Sequence, residues 1–212
     1  IALSLAGPAV RLARGMTRPA AVAGEVPDSA SILSRGAELR LKYGHLTPEQ
    51  RSSIIFERTE EIALQQLTAK QAATPGAHYL TRHSAETTLR EQLVSAATGL
   101  RPDGKVMGAP NKRYAVDSTK FLSNKDMLYG INRAERIQQY AMSTGNPVGD
   151  YISFRFGEFV GEGFVKNTPM YGSDLSRFYR QTHYANFGIN PISGKAITAF
   201  PVISPNSLGV LY

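Results

Sequence analysis

The hydrophobic spacing of the chain changes once. Up to about residue 145, apolar positions recur every three or four residues, the spacing of one face of a helix; after Pro147 they recur every second residue, the spacing of a strand with one buried face. A first helix is predicted over Ser29–Tyr43. Ser29 or Ser31 can cap it, Ile32, Leu33, Ala37 and Leu41 form a loose stripe, and Gly44 follows its end. Thr47, Pro48 and Gln50 then stand at the N-cap, first and third positions of a second helix, the pattern of a capping box. Ile54, Ile55, Arg58, Ile62, Leu64 and Leu67 give it a face running to about Lys70, and His45 in the intervening loop reads as a surface histidine. Thr88 and Glu91 have capping-box spacing, with Ser84 as an earlier alternative start; Leu89, Leu93, Val94 and Ala97 share a face, and Gly99 stops that helix. Ser123 and Asp126 open another, whose buried side is Leu128, Ile131, Ala134, Ile137 and Ala141 and which ends near Gly145.

Beyond Pro147, Ile152, Phe154 and Phe156 alternate with Ser153 and Arg155, a half-buried strand. The glycine-punctuated run from Gly157 to Val165 predicts a bent or bulged strand pair. Phe178, Arg180, Thr182 and Tyr184 mark a further strand, Ala196 to Ile203 another, and Val210-Leu211-Tyr212 a closing one. Helices first and antiparallel strands afterwards predict an α+β fold, N-terminal helices followed by a twisted antiparallel sheet. Residues 1–73 read as a helical accessory, entry or linker region and 74–212 as the α+β domain. Residues 99–120, with Pro102-Asp103-Gly104 and Gly108-Ala109-Pro110, read as a long basic surface loop.

Composition narrows the function classes. The 42% apolar content supports a real core, and the absence of cysteine removes disulfides, thiolate zinc sites and a cysteine nucleophile. The net charge is +7, and it is uneven: residues 1–70 hold 9 Lys+Arg against 7 Asp+Glu, and the remainder 15 against 10. A basic surface of this kind favours a polyanion. The apolar start, Ile1 to Val10, is too short to span a bilayer; with Arg11, Arg14 and Arg18 it reads as a small-residue linker, and the chain, which opens on Ile1, as part of a longer polypeptide.

The densest chemistry lies between Gly76 and Arg90, where His78, Arg82, His83 and Arg90 fall within fifteen residues. Imidazoles titrate near neutral pH, and two of them beside fixed cations are the parts needed to move protons around a phosphate. They flank a predicted helix start, where backbone N–H groups favour anions. Five residues apart, they would not share a face of one helix, so a common site requires a turn between them. No His–carboxylate pair has i, i+4 spacing beside them, and no metal or cofactor is expected.

Gly76, His78, Arg82 and His83, then Thr87, Thr119-Lys120-Phe121-Leu122, Arg133-Ala134-Glu135, Gly161-Glu162-Gly163 and Ile197-Thr198-Ala199-Phe200-Pro201 follow one another in an order that resembles the ribonuclease A-like toxin domains at the C-termini of bacterial contact-dependent inhibition proteins and related polymorphic toxins. The resemblance covers roughly residues 74–203. It implies metal-independent cleavage of RNA, tRNA among the candidate substrates, by attack of the ribose 2′-hydroxyl on phosphorus. His78 and His83 would be acid and base, Arg82 or Arg90 the clamp, and Thr198 a hydrogen-bond donor; His183, Tyr184, Phe200 and Lys120 would bind substrate. Phe200 stands where the family commonly has tyrosine, so a hydroxyl would come from Tyr184 or Tyr179. Ser84-Ala85-Glu86 replaces the family's usual Val-Gly-Lys, and the 99–118 insertion is long. Such a toxin is carried by a secreted parent effector, is delivered from its producer to act in the target-cell cytoplasm, and implies a cognate immunity protein, acidic where it covers the basic cleft. Two other classes are open: an ADP-ribosyltransferase toxin using Glu158 and Glu162, and a non-enzymatic membrane-active or binding module.

Overall fold

The computed structural model describes residues 29–106, 117–146, 148–166, 177–203 and 210–211. The apolar, arginine-bearing start at 1–24, residues 107–116 of the predicted basic loop and Tyr212 lie outside the described residues. The chain divides into two compact units, Ile1–Arg51 and Ser52–Tyr212. The first holds α1 (Ser29–Tyr43) and the start of α2 (Pro48–Ala72), where the predicted capping box is present: Thr47 N donates to Gln50 Oε1 at 2.9 Å and Gln50 N to Thr47 Oγ1 at 3.2 Å.

In the second unit α2 runs on, followed by α3 (Tyr79–His83), α4 (Leu89–Thr98), β1 (Ser118–Phe121), α5 (Asn124–Ser143), β2 (Tyr151–Arg155), β3 (Gly161–Lys166), β4 (Arg177–Thr182), β5 (Tyr184–Ile189), β6 (Ala196–Val202) and β7 (Val210–Leu211). The class is α+β, and the strands form two sheets where one was expected. One has the order β1-β3-β4 and is antiparallel; the other has the order β6-β5-β2-β7, antiparallel except that β7 runs parallel to β2. The strand predicted through Phe178 and Tyr184 is two strands, because the chain changes sheet at His183. Thr182 holds that corner: its hydroxyl donates to Val202 O and accepts from Tyr184 N. Among the described residues no helix is long and apolar enough to cross a membrane.

The core lies between α5 and the four-stranded sheet. Met127, Ile131 and Ala134 of α5 join Ile152, Phe154, Ala185, Phe187 and Ala199 in one buried cluster, to which α2 adds Leu67. A side chain at Gly130 would occupy the place of the Phe187 ring, so α5 rests directly on β5. Glu60 of α2 caps α5: its carboxylate accepts from Ser123 Oγ at 2.6 Å and from Asn124 N at 2.7 Å, as an anion should at a helix start.

Three expectations from periodicity are overturned. The apolar face of α2 is largely in solvent: Ile54, Ile55 and Ile62 are exposed, and only Ala63 and Leu67 are buried. On α4 the expected apolar face, Leu89, Leu93 and Val94, also points out, while Gln92, Ser95 and Ala96 are buried. The cause is the Gln92 amide, which donates to Arg82 O at 2.9 Å and Thr87 Oγ1 at 3.0 Å and accepts from Ser118 Oγ at 2.6 Å, bridging α3, α4 and β1. In β2, Ser153 is buried between Ile152 and Phe154 because its hydroxyl donates to Asn186 Oδ1 at 2.6 Å, so both faces of the strand are covered.

β1 fits because the strand beside it lacks side chains. At Gly163 an added Cβ would strike Ser118 O and lie 2.7 Å from Thr119 Cα; at Gly161 it would strike the Pro201 ring. The two glycines let β1 lie against β3 and β6 together. Gly163→Ala is expected to cost about 2 kcal/mol through overpacking against main-chain atoms that cannot move aside. Urea unfolding checks this, and a change within experimental error would contradict it.

Candidate functional site

Two histidines are fixed by backbone carbonyls. Gly76 adopts φ +79°, open to glycine but strained for other residues, and this turn brings Gly76 O to 3.0 Å from His78 Nδ1. His78 is the N-cap residue of α3 and donates its own N–H to Ile197 O at 3.0 Å, which joins α3 to β6. At the other end of α3, the buried His83 places Nδ1 2.8 Å from Thr119 O on β1. A backbone carbonyl only accepts, so each ring carries its proton on Nδ1 when neutral and keeps its lone pair on Nε2. The turn required between the histidines is α3 itself. The start of α4 does not lie between them, and its capping box is closed by Thr88 and Glu91.

Both rings line one cleft of about 410 Å³. Arg82 lines it from α3, and Arg101 from a short hairpin closed by the Leu100–Val106 bridge and by Arg101 N donating to Lys105 O. The hairpin also carries Asp103, whose carboxylate accepts from Arg82 Nε at 2.8 Å with both side chains largely buried. Asp103 thereby orients Arg82 and leaves its Nη donors for a ligand. Asp117 and Thr119 contribute from the start of β1, and Tyr151, Thr198 and Phe200 from the four-stranded sheet. Phe200 lies with its ring centroid 5.7 Å from His83 and 5.8 Å from Tyr151.

Burial dominates the protonation of this cluster. It pushes His83 down to about 3 against the upward pull of the Thr119 carbonyl, with Arg101, His78 and Arg82 adding repulsion. His78, half-buried, is lowered by the same desolvation and by Arg82, and raised by the Gly76 carbonyl and by Asp103. Burial and the neighbouring Arg82 lower Arg101. Asp103 is pushed up by burial, but the Arg82 hydrogen bond and charge, with the Lys105 N–H, leave it below the ordinary value. At neutral pH the two imidazoles are therefore neutral, and they share the cleft with two guanidiniums and the acidic side chain of Asp117.

His78, Arg82, His83, Thr198 and Phe200, expected from the sequence, come together here. Four others do not. Arg90 is exposed on the first turn of α4 and borders another depression, on the far side of Arg101, with Glu91 and Val94. Lys120 faces away because side chains alternate along β1; its Nζ donates to Ala85 O at 2.8 Å. His183 sits at the corner between sheets, stacked on Phe159 at 4.3 Å, and Tyr184 opens β5 opposite Arg155 and Val202. Tyr179 donates to Glu162 at 2.7 Å on the other sheet, so neither proposed tyrosine replaces the hydroxyl that Phe200 lacks; Glu158 is exposed, and neither glutamate lines the cleft. Arg101, Asp117 and Tyr151 line the cleft and were not singled out from the sequence. Pro102-Asp103-Gly104 signalled the turn that carries Arg101, but nothing local signalled that it folds back over α3. Among the described residues no group of three or more His, Asp or Glu is placed to hold a metal ion.

Comparison of the chain with protein-family models, with curated proteins and with solved structures found no match.

The displaced pKa of His83 makes stability depend on pH. Between about 3, its folded value, and about 6.5, the ordinary imidazole value, the unfolded chain binds a proton that the folded chain refuses. Stability is therefore fully present above about pH 6.5 and is lost as pH falls through that window. Urea unfolding of wild type and His83→Gln at several pH values should show the wild type losing about 1.4 kcal/mol more per pH unit than the variant between pH 6 and 4, and parallel behaviour above pH 7. Parallel curves throughout would contradict the assignment.

Proposed function

We propose that this cleft cleaves RNA by metal-independent transfer of phosphorus to the ribose 2′-oxygen. The observation that carries the reading is the pair of imidazoles, each held through Nδ1 by a backbone carbonyl, sharing a cleft with Arg82 and Arg101. His83 Nε2, the nitrogen kept furthest from protonation, takes the 2′-hydroxyl proton, and the 2′-oxygen attacks the adjacent phosphorus. Entry of the phosphodiester anion raises both imidazole pKa values, and His78, the less buried, becomes protonated and delivers its proton to the departing 5′-oxygen. The products are a 2′,3′-cyclic phosphate and a 5′-hydroxyl. The Nη groups of Arg82, the Arg101 guanidinium and the Thr198 hydroxyl oppose the charge gathering on the non-bridging oxygens.

On the same reading the chain has a ribonuclease A-like toxin fold, with tRNA among its candidate substrates. It is the toxin domain of a larger secreted effector, delivered from its producer and acting in the target-cell cytoplasm. The producer is guarded by an acidic immunity protein that covers the cleft. The order of the motifs from Gly76 to Pro201, the +7 charge and the convergence of His78, Arg82, His83 and Thr198 support this reading.

The test is incubation of the purified chain with total RNA in EDTA. His78→Ala and His83→Ala should each lower cleavage by about 10²- to 10⁴-fold. Arg101→Ala should lower it by about 10- to 100-fold, and Arg90→Ala should leave it unchanged. Circular dichroism and thermal unfolding establish that each variant is folded. Full activity in both histidine variants would remove the assignment.

A further inference from the structure

The cleft joins two kinds of surface. Its imidazoles and guanidiniums come from α3, its N-cap residue and the 100–106 hairpin, while β2 and β6 supply Tyr151, Ile197 and Phe200. Tyr151 opens β2 and is 40% exposed, whereas the next three residues of that strand are buried on both faces. Across the sheet Tyr151 pairs with Gly188, and Gly188 with Thr198. A Cβ at Gly188 would come within 2.7 Å of Thr198 Cγ2 and 3.1 Å of Tyr151 Cε1, so the missing side chain is what lets those two groups converge. Phe200 supports the Tyr151 ring edge-on, with the planes at 76°, and its ring also neighbours that of His83. The rings of His83, Phe200 and Tyr151 form a row that starts at the expected base and ends on an aromatic side chain open to solvent.

From this row, and resting on the ribonuclease reading, we infer that Tyr151 is the stacking seat for a nucleobase next to the scissile phosphate, with Phe200 as its support. A nucleotide has the same division of chemistry, an anion separated by a sugar from a flat, largely apolar ring. With the phosphate between the histidines and Arg101, a neighbouring base comes within reach of Tyr151. Every base has a π-face, so the seat adds affinity and positions the ribose without selecting a sequence.

Two oligodeoxynucleotides test this without cleavage, because neither has a 2′-hydroxyl. One carries 2-aminopurine, whose fluorescence falls on stacking, and the other is abasic at that position. The wild type should bind the base-bearing oligomer about tenfold more tightly than the abasic one and quench its fluorescence. Tyr151→Phe should keep the ratio. Tyr151→Ala and Tyr151→Leu, the second retaining apolar bulk without a ring, should bring it to about one, while inorganic phosphate competes equally against wild type and variants. Equal binding of the two oligomers by the wild type, an undiminished ratio in Tyr151→Leu, or no binding of either oligomer would overturn the inference. A base preference in a protein that does not cut RNA would overturn the ribonuclease reading and leave the seat standing; RNA cleavage without a base preference would do the reverse.

Discussion

Thr119 holds the site together. Its carbonyl accepts from His83 Nδ1, and its hydroxyl donates to Pro201 O at 2.7 Å, so one residue of β1 ties α3 to β6. Thr119 can stand there only because Gly161 and Gly163 let the β1 backbone close against its neighbours. His83 is buried with β1 and Phe200 against it. The nitrogen directed at Thr119, the depressed basicity and the place of the cleft are consequences of one tight strand contact.

That burial also sets the chemical state of the cleft. A charged imidazole in the position of His83 would sit among Arg101 and Arg82 with little water, and the ring stays neutral. A neutral ring is a base in waiting, and the cost of charging it falls when an anion arrives. On the proposed reading a phosphodiester would be that anion, beside an Arg82 that Asp103 already holds. The hairpin that carries Asp103 also carries Arg101, so one local turn both orients the first guanidinium and supplies the second.

Local chemistry was legible in the sequence. The capping boxes at Thr47 and Thr88, the Ser123 cap and the ends of α1 and α5 stand where their side chains predict, because a cap is decided within four residues. The burial of α2 and α4 was not legible. Their hydrophobic spacing implied inward faces, and on α4 a buried glutamine network decided otherwise. The change of sheet at His183 has no local signature, since Phe178 to Tyr184 reads as one alternating run. The histidine pair was visible as residue types, and so was Thr198. That Arg101 would join them and Arg90 would not depends on the path of the 100–106 hairpin, a tertiary property that no spacing rule contains.

On the proposed reading two neutral imidazoles, each held at Nδ1 by a carbonyl, offer Nε2 to one shared anion. Long-range ¹H–¹⁵N NMR of protein labelled at histidine reads the tautomer and the titration of each ring. The spectra should show the Nδ1–H tautomer for His78 and His83, a His83 ring that stays neutral well below pH 6, and midpoints for both that move upward when inorganic phosphate is added. A His83 ring that titrates near 6.5, carries its proton on Nε2 or ignores phosphate would contradict it.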